Sequence, residues 1–191
     1  MTKIKEIYSA KQISQRVAEL GAEISADYEK LECPVVIGVL KGSFCFLADL
    51  VRQIKLPQSV QIEFVHLSSY GAASTSSGII QAPYLNLPNI TNRHILIVED
   101  IVESGQTARF FIDYLNDQFK PASLKLAVLL DRKANRVVPV EADYIGFSVG
   151  GTFVVGYGFD YAEAYLDYAQ RYRELPYLGE LILSNTSTGD E

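Results

Sequence analysis

Two hydrophobic rhythms run along the chain. Ile13, Val17, Leu20, Ile24 and Tyr28 recur at helical spacing behind Ser9 and Gln12, which together read as a capping box. Pro34-Val35-Val36-Ile37-Gly38-Val39-Leu40 is then apolar throughout, the pattern of a strand covered on both faces. A polar turn, Lys41-Gly42-Ser43, leads into a second helical pattern with Phe46, Leu47, Leu50, Val51 and Ile54 inward. Val60 to Leu67 reads as a strand, and so do Ile95-Leu96-Ile97-Val98, Leu124 to Leu130 and Asp143 to Phe147. Phe110, Phe111, Tyr114 and Leu115 mark a helix after the second of these. Strands alternating with helices predict an α/β fold with a parallel sheet, whose ligands bind beyond the carboxyl ends of the strands. Ser68 to Gly78 is small, polar and aperiodic, the mark of a long functional loop.

Composition narrows the classes. With 191 residues, 48% of them apolar, the chain can bury a full core as a single domain without disulfide staples. The formal net charge is -6, from 17 Lys+Arg against 23 Asp+Glu, which speaks against nucleic-acid or anionic-membrane partners. Met1 to Glu6 is polar with no apolar stretch behind it, so neither a secretory signal nor a membrane span is expected. Cys33 and Cys45 lack metal-ligand spacing and read as reduced thiols of a cytoplasmic protein. His66 and His94 are isolated, and no histidine metal site is expected.

The most informative string is Ile95-Leu96-Ile97-Val98-Glu99-Asp100-Ile101-Val102-Glu103-Ser104-Gly105-Gln106-Thr107. A buried strand delivers two adjacent carboxylates, and a Ser-Gly-x-Thr turn then opens a helix. Gly105 permits close backbone approach, Ser104 and Thr107 offer hydroxyls, and a helix N-terminus presents free N–H groups, all suited to phosphate. Carboxylates are wrong for phosphate and right for sugar hydroxyls. A phosphorylated sugar satisfies both halves.

This string resembles the phosphoribosyl-diphosphate (PRPP) motif of type I phosphoribosyltransferases. Val39-Leu40-Lys41-Gly42-Ser43 resembles the pyrophosphate loop of the hypoxanthine phosphoribosyltransferases, and Ser68-Ser69-Tyr70-Gly71 the start of their flexible loop. Phe147, Phe153-Val154-Val155-Gly156-Tyr157-Gly158-Phe159-Asp160-Tyr161 and Arg173-Glu174-Leu175-Pro176-Tyr177-Leu178-Gly179 resemble the hood that holds the purine. The similarity covers nearly the whole chain and is greatest to bacterial members.

The resemblance implies a central parallel sheet flanked by helices, with a core over about 10–147 and a small hood built from the N-terminal residues and about 148–191. It implies transfer of the phosphoribosyl group from PRPP to hypoxanthine, and to guanine, with release of pyrophosphate. Glu99 and Asp100 would hold the ribose hydroxyls, and Ser104, Gly105, Gln106 and Thr107 the 5′-phosphate. Lys41 and Gly42, with a Leu40–Lys41 peptide that is often cis in the family, and Arg173 would bind pyrophosphate. Ser69 and Tyr70 would close over the site, and Phe153 and the Val154 backbone would hold the base. Asp160 would help hold Mg²⁺ on PRPP. A homo-oligomer, dimer or tetramer, is the usual assembly.

Three departures qualify this picture. The acid between the ribose pair and the phosphate turn is usually Asp and here is Glu103. The cation expected at the purine 6-oxo group is usually Lys, and Leu129-Leu130-Asp131-Arg132-Lys133 puts Arg132 there, with Lys133 beside it. Phe159-Asp160-Tyr161-Ala162-Glu163-Ala164-Tyr165 is followed by the similar Leu166-Asp167-Tyr168-Ala169-Gln170-Arg171-Tyr172, so counting forward favours Asp160 for the metal while counting back from Arg173 favours Asp167. Two alternatives therefore stay open: a transferase preferring xanthine or guanine alone, and a catalytically weak PRPP-sensing regulator.

Overall fold

In the computed structural model, residues 3–69, 80–160 and 172–182 are described. A six-stranded sheet has the order β4-β3-β2-β5-β6-β7. Its strands are β2 (Val35–Leu40), β3 (Gln61–Ser69), β4 (Ile80–Tyr84), β5 (His94–Val102), β6 (Ser123–Asp131) and β7 (Tyr144–Ser148). Five run parallel, and only the edge strand β4 is antiparallel to its neighbour. Helices α1 (Ala10–Tyr28) and α2 (Phe44–Gln53) cover one face, and α3 (Gln106–Phe119) covers the other.

The period-2 rule explains that division. Val36, Leu96, Val98, Ala127 and Leu129 face the α1–α2 layer, while Val35, Ile37, Ile95, Ile97, Leu126 and Val128 face α3. Each buried Val, Leu or Ile side chain of this set contributes roughly 1.5–3 kcal/mol, enough to fix the register of the parallel strands. The capping box at α1 is present: Ser9 Oγ accepts from Gln12 N at 3.3 Å, and Ser9 N donates to Gln12 Oε1 at 2.9 Å. In α2 the inward set is Phe46, Leu47 and Leu50, and Val51 is only half-buried.

A second, three-stranded antiparallel sheet has the order β1-β9-β8, from β1 (Lys3–Tyr8), β8 (Val154–Val155) and β9 (Leu178–Ile182). It pairs β1, near the start of the chain, with β9, far along it. Phe147 lies in β7 of the main sheet, within the strand expected over 143–147, and stacks on Tyr8 of β1 with ring centroids 4.0 Å apart, so it bridges the two sheets. Tyr157 O–H donates to Asp49 Oδ2 at 2.6 Å and ties the hood to α2. Among the described residues no helix is long and apolar enough to cross a membrane. The loop expected over 68–78 lies mostly outside the described residues: β3 carries the chain through Ser69, and Tyr70 falls beyond it. The repeated unit likewise falls outside, apart from Phe159, Asp160 and Tyr172 at its edges.

Candidate active site

The carboxyl ends of β2 and β5 open on a cleft of about 580 Å³. Lys41, Gly42, Glu99, Asp100, Glu103, Ser104, Gly105, Thr107 and Asp160 line it. The carboxylates are not beyond the strand, as the sequence pattern suggests, because β5 continues to Val102. Its pairing with β6 matches Glu99 to Val128, Ile101 to Leu130 and Val102 to Asp131. Continued pairing with β6 keeps the acidic pair on rigid backbone.

Burial dominates the electrostatics of that pair. Glu99 is 7% exposed. Loss of hydration, and next the neighbouring Asp100 charge, push its carboxyl up to about 8. Burial also pushes Asp100 up to about 6, against the lowering effect of N–H groups at Ile101 and at Asp100 itself. Ile101 N donates to Asp100 Oδ1 at 2.8 Å. Its other oxygen fills the space above Gly42, where an added Cβ would fall 1.5 Å from Asp100 Oδ2. Gly42 is thus the one residue type that lets the β2 loop and the acidic pair share this space. The Leu40–Lys41 peptide before it is cis, as the resemblance implies.

The conformation of the turn at 104–107 follows from local chemistry. Gly105 takes φ 83°, in the left-handed region, as the N-cap of α3. Gln106 N donates to Ser104 Oγ at 3.3 Å, and Arg109 N to Gly105 O at 2.9 Å. Val137 and Val138 N–H groups donate to Ser104 O at 2.9 Å and anchor the turn from the 137–138 side. Ser104, Gly105 and Thr107 face the cleft, whereas Gln106 contributes backbone at the helix start.

Glu103 is tied by its carboxylate. Arg132 Nη1 donates to its Oε1 at 2.9 Å and Asn135 Nδ2 to the same oxygen at 2.6 Å. Partial burial would raise this carboxyl, but the Asn135 and Arg132 hydrogen bonds and the Arg132 charge outweigh it and hold the carboxyl low. Arg132 is 7% exposed, and its Nη2 donates to the carbonyl of Thr152. Its Nε has no hydrogen-bond partner among the described residues. The guanidinium expected at the purine is therefore turned to Glu103 and to the backbone just before Phe153. Lys133 is exposed and paired with Glu141 at 3.0 Å.

Phe153 is 50% exposed and Val154 is buried, paired with Glu180 across β8 and β9. Neither lines the cleft, and nor do Arg132 or Arg173. Arg173 nonetheless reaches its edge: Nη2 lies 2.6 Å from Asp160 Oδ2, and Nη1 donates to Gly158 O. That pair joins the two residues that the repeat left in conflicting registers. Asn135, the Thr152 carbonyl and the Gly42–Asp100 packing were not legible from spacing. Asn135 sits in a short 3-10 turn (Lys133–Asn135) with no periodic signal.

A metal has limited protein support here. Among the described residues no group of three or more His, Cys, Asp or Glu side chains could hold an ion. Asp100 and Asp160 line one cleft, and the Asp160 charge acts on the Asp100 carboxyl. That donor set fits a hard cation held chiefly by substrate phosphates and water, the habit of magnesium.

The phosphoribosyl transferase domain family matches residues 3–162. The hypoxanthine-guanine phosphoribosyltransferase of Dictyostelium discoideum is 46% identical over 176 residues, spanning 92% of this chain and 93% of that protein. The hypoxanthine phosphoribosyltransferase of Haemophilus influenzae is 42% identical over 179 residues, spanning 93% and 94%. Among solved structures, a hypoxanthine-guanine phosphoribosyltransferase of Bacillus anthracis superposes with a TM-score of 0.83 at 39% identity, covering 94% of this chain and 100% of that one.

Proposed function

Because the chain belongs to the phosphoribosyltransferase family, we propose that it is a purine-salvage enzyme moving the 5-phosphoribosyl group of PRPP to hypoxanthine and guanine. The single observation that carries this is the cleft. Its buried acidic pair, phosphate turn and Lys41–Gly42 loop answer the three parts of PRPP: ribose hydroxyls, 5′-phosphate and pyrophosphate.

In the reaction the bond between ribose C1 and the pyrophosphate oxygen breaks, and a bond from C1 to a purine nitrogen forms. The sugar passes through an oxocarbenium-like transition state, as in glycoside cleavage. Glu99 and Asp100 orient the ribose by accepting from its hydroxyls. Ser104, Gly105, Gln106 and Thr107 hold the 5′-phosphate through hydroxyls and N–H groups at the start of α3. Lys41, the Gly42 backbone and Arg173 take the charge of pyrophosphate. Phe153 stacks on the base and the Val154 backbone reads its edge, with Arg132 as the nearby cation. Glu103 accepts the proton that leaves the purine. Closure of the loop carrying Ser69 and Tyr70 over the site would exclude water. Asp160 would help hold Mg²⁺ on PRPP, and the bound ion would supply positive charge to offset the leaving pyrophosphate. The working form is a cytoplasmic dimer or tetramer, to be measured by light scattering.

The test is a panel of hypoxanthine, guanine, xanthine and adenine with PRPP and Mg²⁺, following nucleotide and pyrophosphate. Turnover with hypoxanthine or guanine is expected, and adenine should be rejected. Tight PRPP binding with no turnover on any base would overturn the reading.

A further inference from the structure

We infer that Asn135 is a positioning residue for the transfer, which together with Arg132 pins one oxygen of Glu103 so that the other is presented to the base. This rests on the transferase reading above. Both donors, at 2.6 and 2.9 Å, converge on Oε1. Oε2 accepts from none of the described residues, and Glu103 lines the cleft with a side chain 43% exposed. One oxygen is thus committed and its twin is available.

The fixing groups are themselves held. Arg132 N donates to Val102 O at 3.0 Å, and Asn135 N to Arg132 O at 3.3 Å, so the turn carrying both donors is bonded to the end of β5. Arg136 Nε donates to Glu103 O at 3.0 Å and fixes the backbone beneath the carboxylate. Arg132 also grips the Thr152 carbonyl. One guanidinium therefore links the proton acceptor to the residue preceding Phe153. Glu carries one more rotatable bond than Asp and loses more freedom when held. Two donors on one oxygen restore the order that the longer side chain gives up. In the transfer, C1 gains the purine nitrogen, pyrophosphate leaves with the C1–O electron pair, and the purine N7 proton passes to Glu103 Oε2.

The charged groups facing Glu103 are Arg132, at its carboxylate, and Arg136, at its backbone; Asn135 adds a neutral donor. Asn135 is exposed, so its truncation leaves the core untouched. Asn135→Ala should lower kcat about tenfold, which is about 1.4 kcal/mol of barrier, with the KM for PRPP within twofold. In a Glu103→Gln background, where Oε1 still accepts but no proton can be taken, the same change should have no further effect on kcat. An equal loss in both backgrounds, or no loss in the first, would overturn the inference. A second readout needs no turnover: the NMR titration midpoint of the Glu103 carboxyl should rise in Asn135→Ala. An unchanged midpoint would overturn it, whereas a parent enzyme inactive on every purine would overturn the transferase reading instead.

Discussion

Replacing Gly42 by alanine tests the contact on which the proposed ribose site depends. The new Cβ would lie 1.5 Å from Asp100 Oδ2, 2.4 Å from its Cγ and 3.2 Å from its Cβ. Non-bonded heavy atoms settle at about 3.5 Å, so the carboxylate must retreat by about 2 Å. Asp100 cannot move as a unit, because β5 is paired with β6 on both sides of it, at Glu99 and at Ile101. The side chain must rotate instead, which breaks the 2.8 Å bond from Ile101 N. A 1 Å misplacement of reacting partners costs about 10²-fold. The expected result is a fall of about 10²-fold in kcat/KM for PRPP, or about 2.7 kcal/mol of transition-state stabilisation. Gly42 does not adopt positive φ. Backbone strain is therefore absent, and the melting temperature should move by only a few degrees. Gly150→Ala, with nothing within 4 Å of the added methyl, is the control and should be silent. Steady-state kinetics with varied PRPP, beside a thermal melt, decide the matter. If Gly42→Ala keeps kcat/KM for PRPP within twofold of the parent, Asp100 does not serve the ribose from this position.

Two further outcomes follow from buried charge. Arg136 donates to Val102 O, Val140 O and the Asp131 carboxylate, and Asp131 is only 2% exposed. Arg136→Ala strands that carboxylate and should cost about 3–5 kcal/mol, read as a lower midpoint in urea; a change below about 1 kcal/mol would mean that water replaces the pair. Glu99 and Asp100, raised by burial to about 8 and about 6 from the ordinary carboxylate range, bind protons more tightly folded than unfolded. Their effect on stability is therefore least unfavourable at low pH, and stability should fall as pH rises from about 5 to 8. Glu99→Gln should flatten that slope in urea unfolding, and a parent protein whose stability is level or rising across this window would contradict the burial argument.

Much of this was legible because the information is local. The β2 and β5 strands are written as continuous apolar runs, and the site string occupies thirteen consecutive positions from Ile95 to Thr107. β4 and the three strands of the hood carry little such signal. β1 mixes three charged, exposed residues with Ile4, Ile7 and Tyr8, and its partner β9 lies far along the chain, so its pairing depends on the tertiary fold. The hood was expected from resemblance, not from periodicity. The end of β5 was misjudged for a related reason: Glu99 and Asp100 look like a strand terminus on polarity alone, while pairing with β6 carries the strand on to Val102. Arg132 shows what residue type leaves open. The resemblance puts it beside the base, and a planar guanidinium with five donors also serves a carboxylate and a carbonyl together here.

The acidity of the chain takes on a different meaning at the site. The formal charge of -6 counts every carboxylate as ionised. Glu99, pushed up to about 8, is largely neutral near pH 7, and Asp100, pushed up to about 6, carries much of the remaining local charge. Glu103 is matched by Arg132, and Asp160 by Arg173. Four carboxylic acids thus line the cleft while presenting far less than four negative charges to an incoming polyanion. Lys41, which no described ion pair engages, and the N–H groups at the start of α3 then set the sign of the field where phosphates arrive. An acidic protein can in this way admit an acidic substrate with no basic surface, because burial and internal pairing have already offset the charges nearest to it.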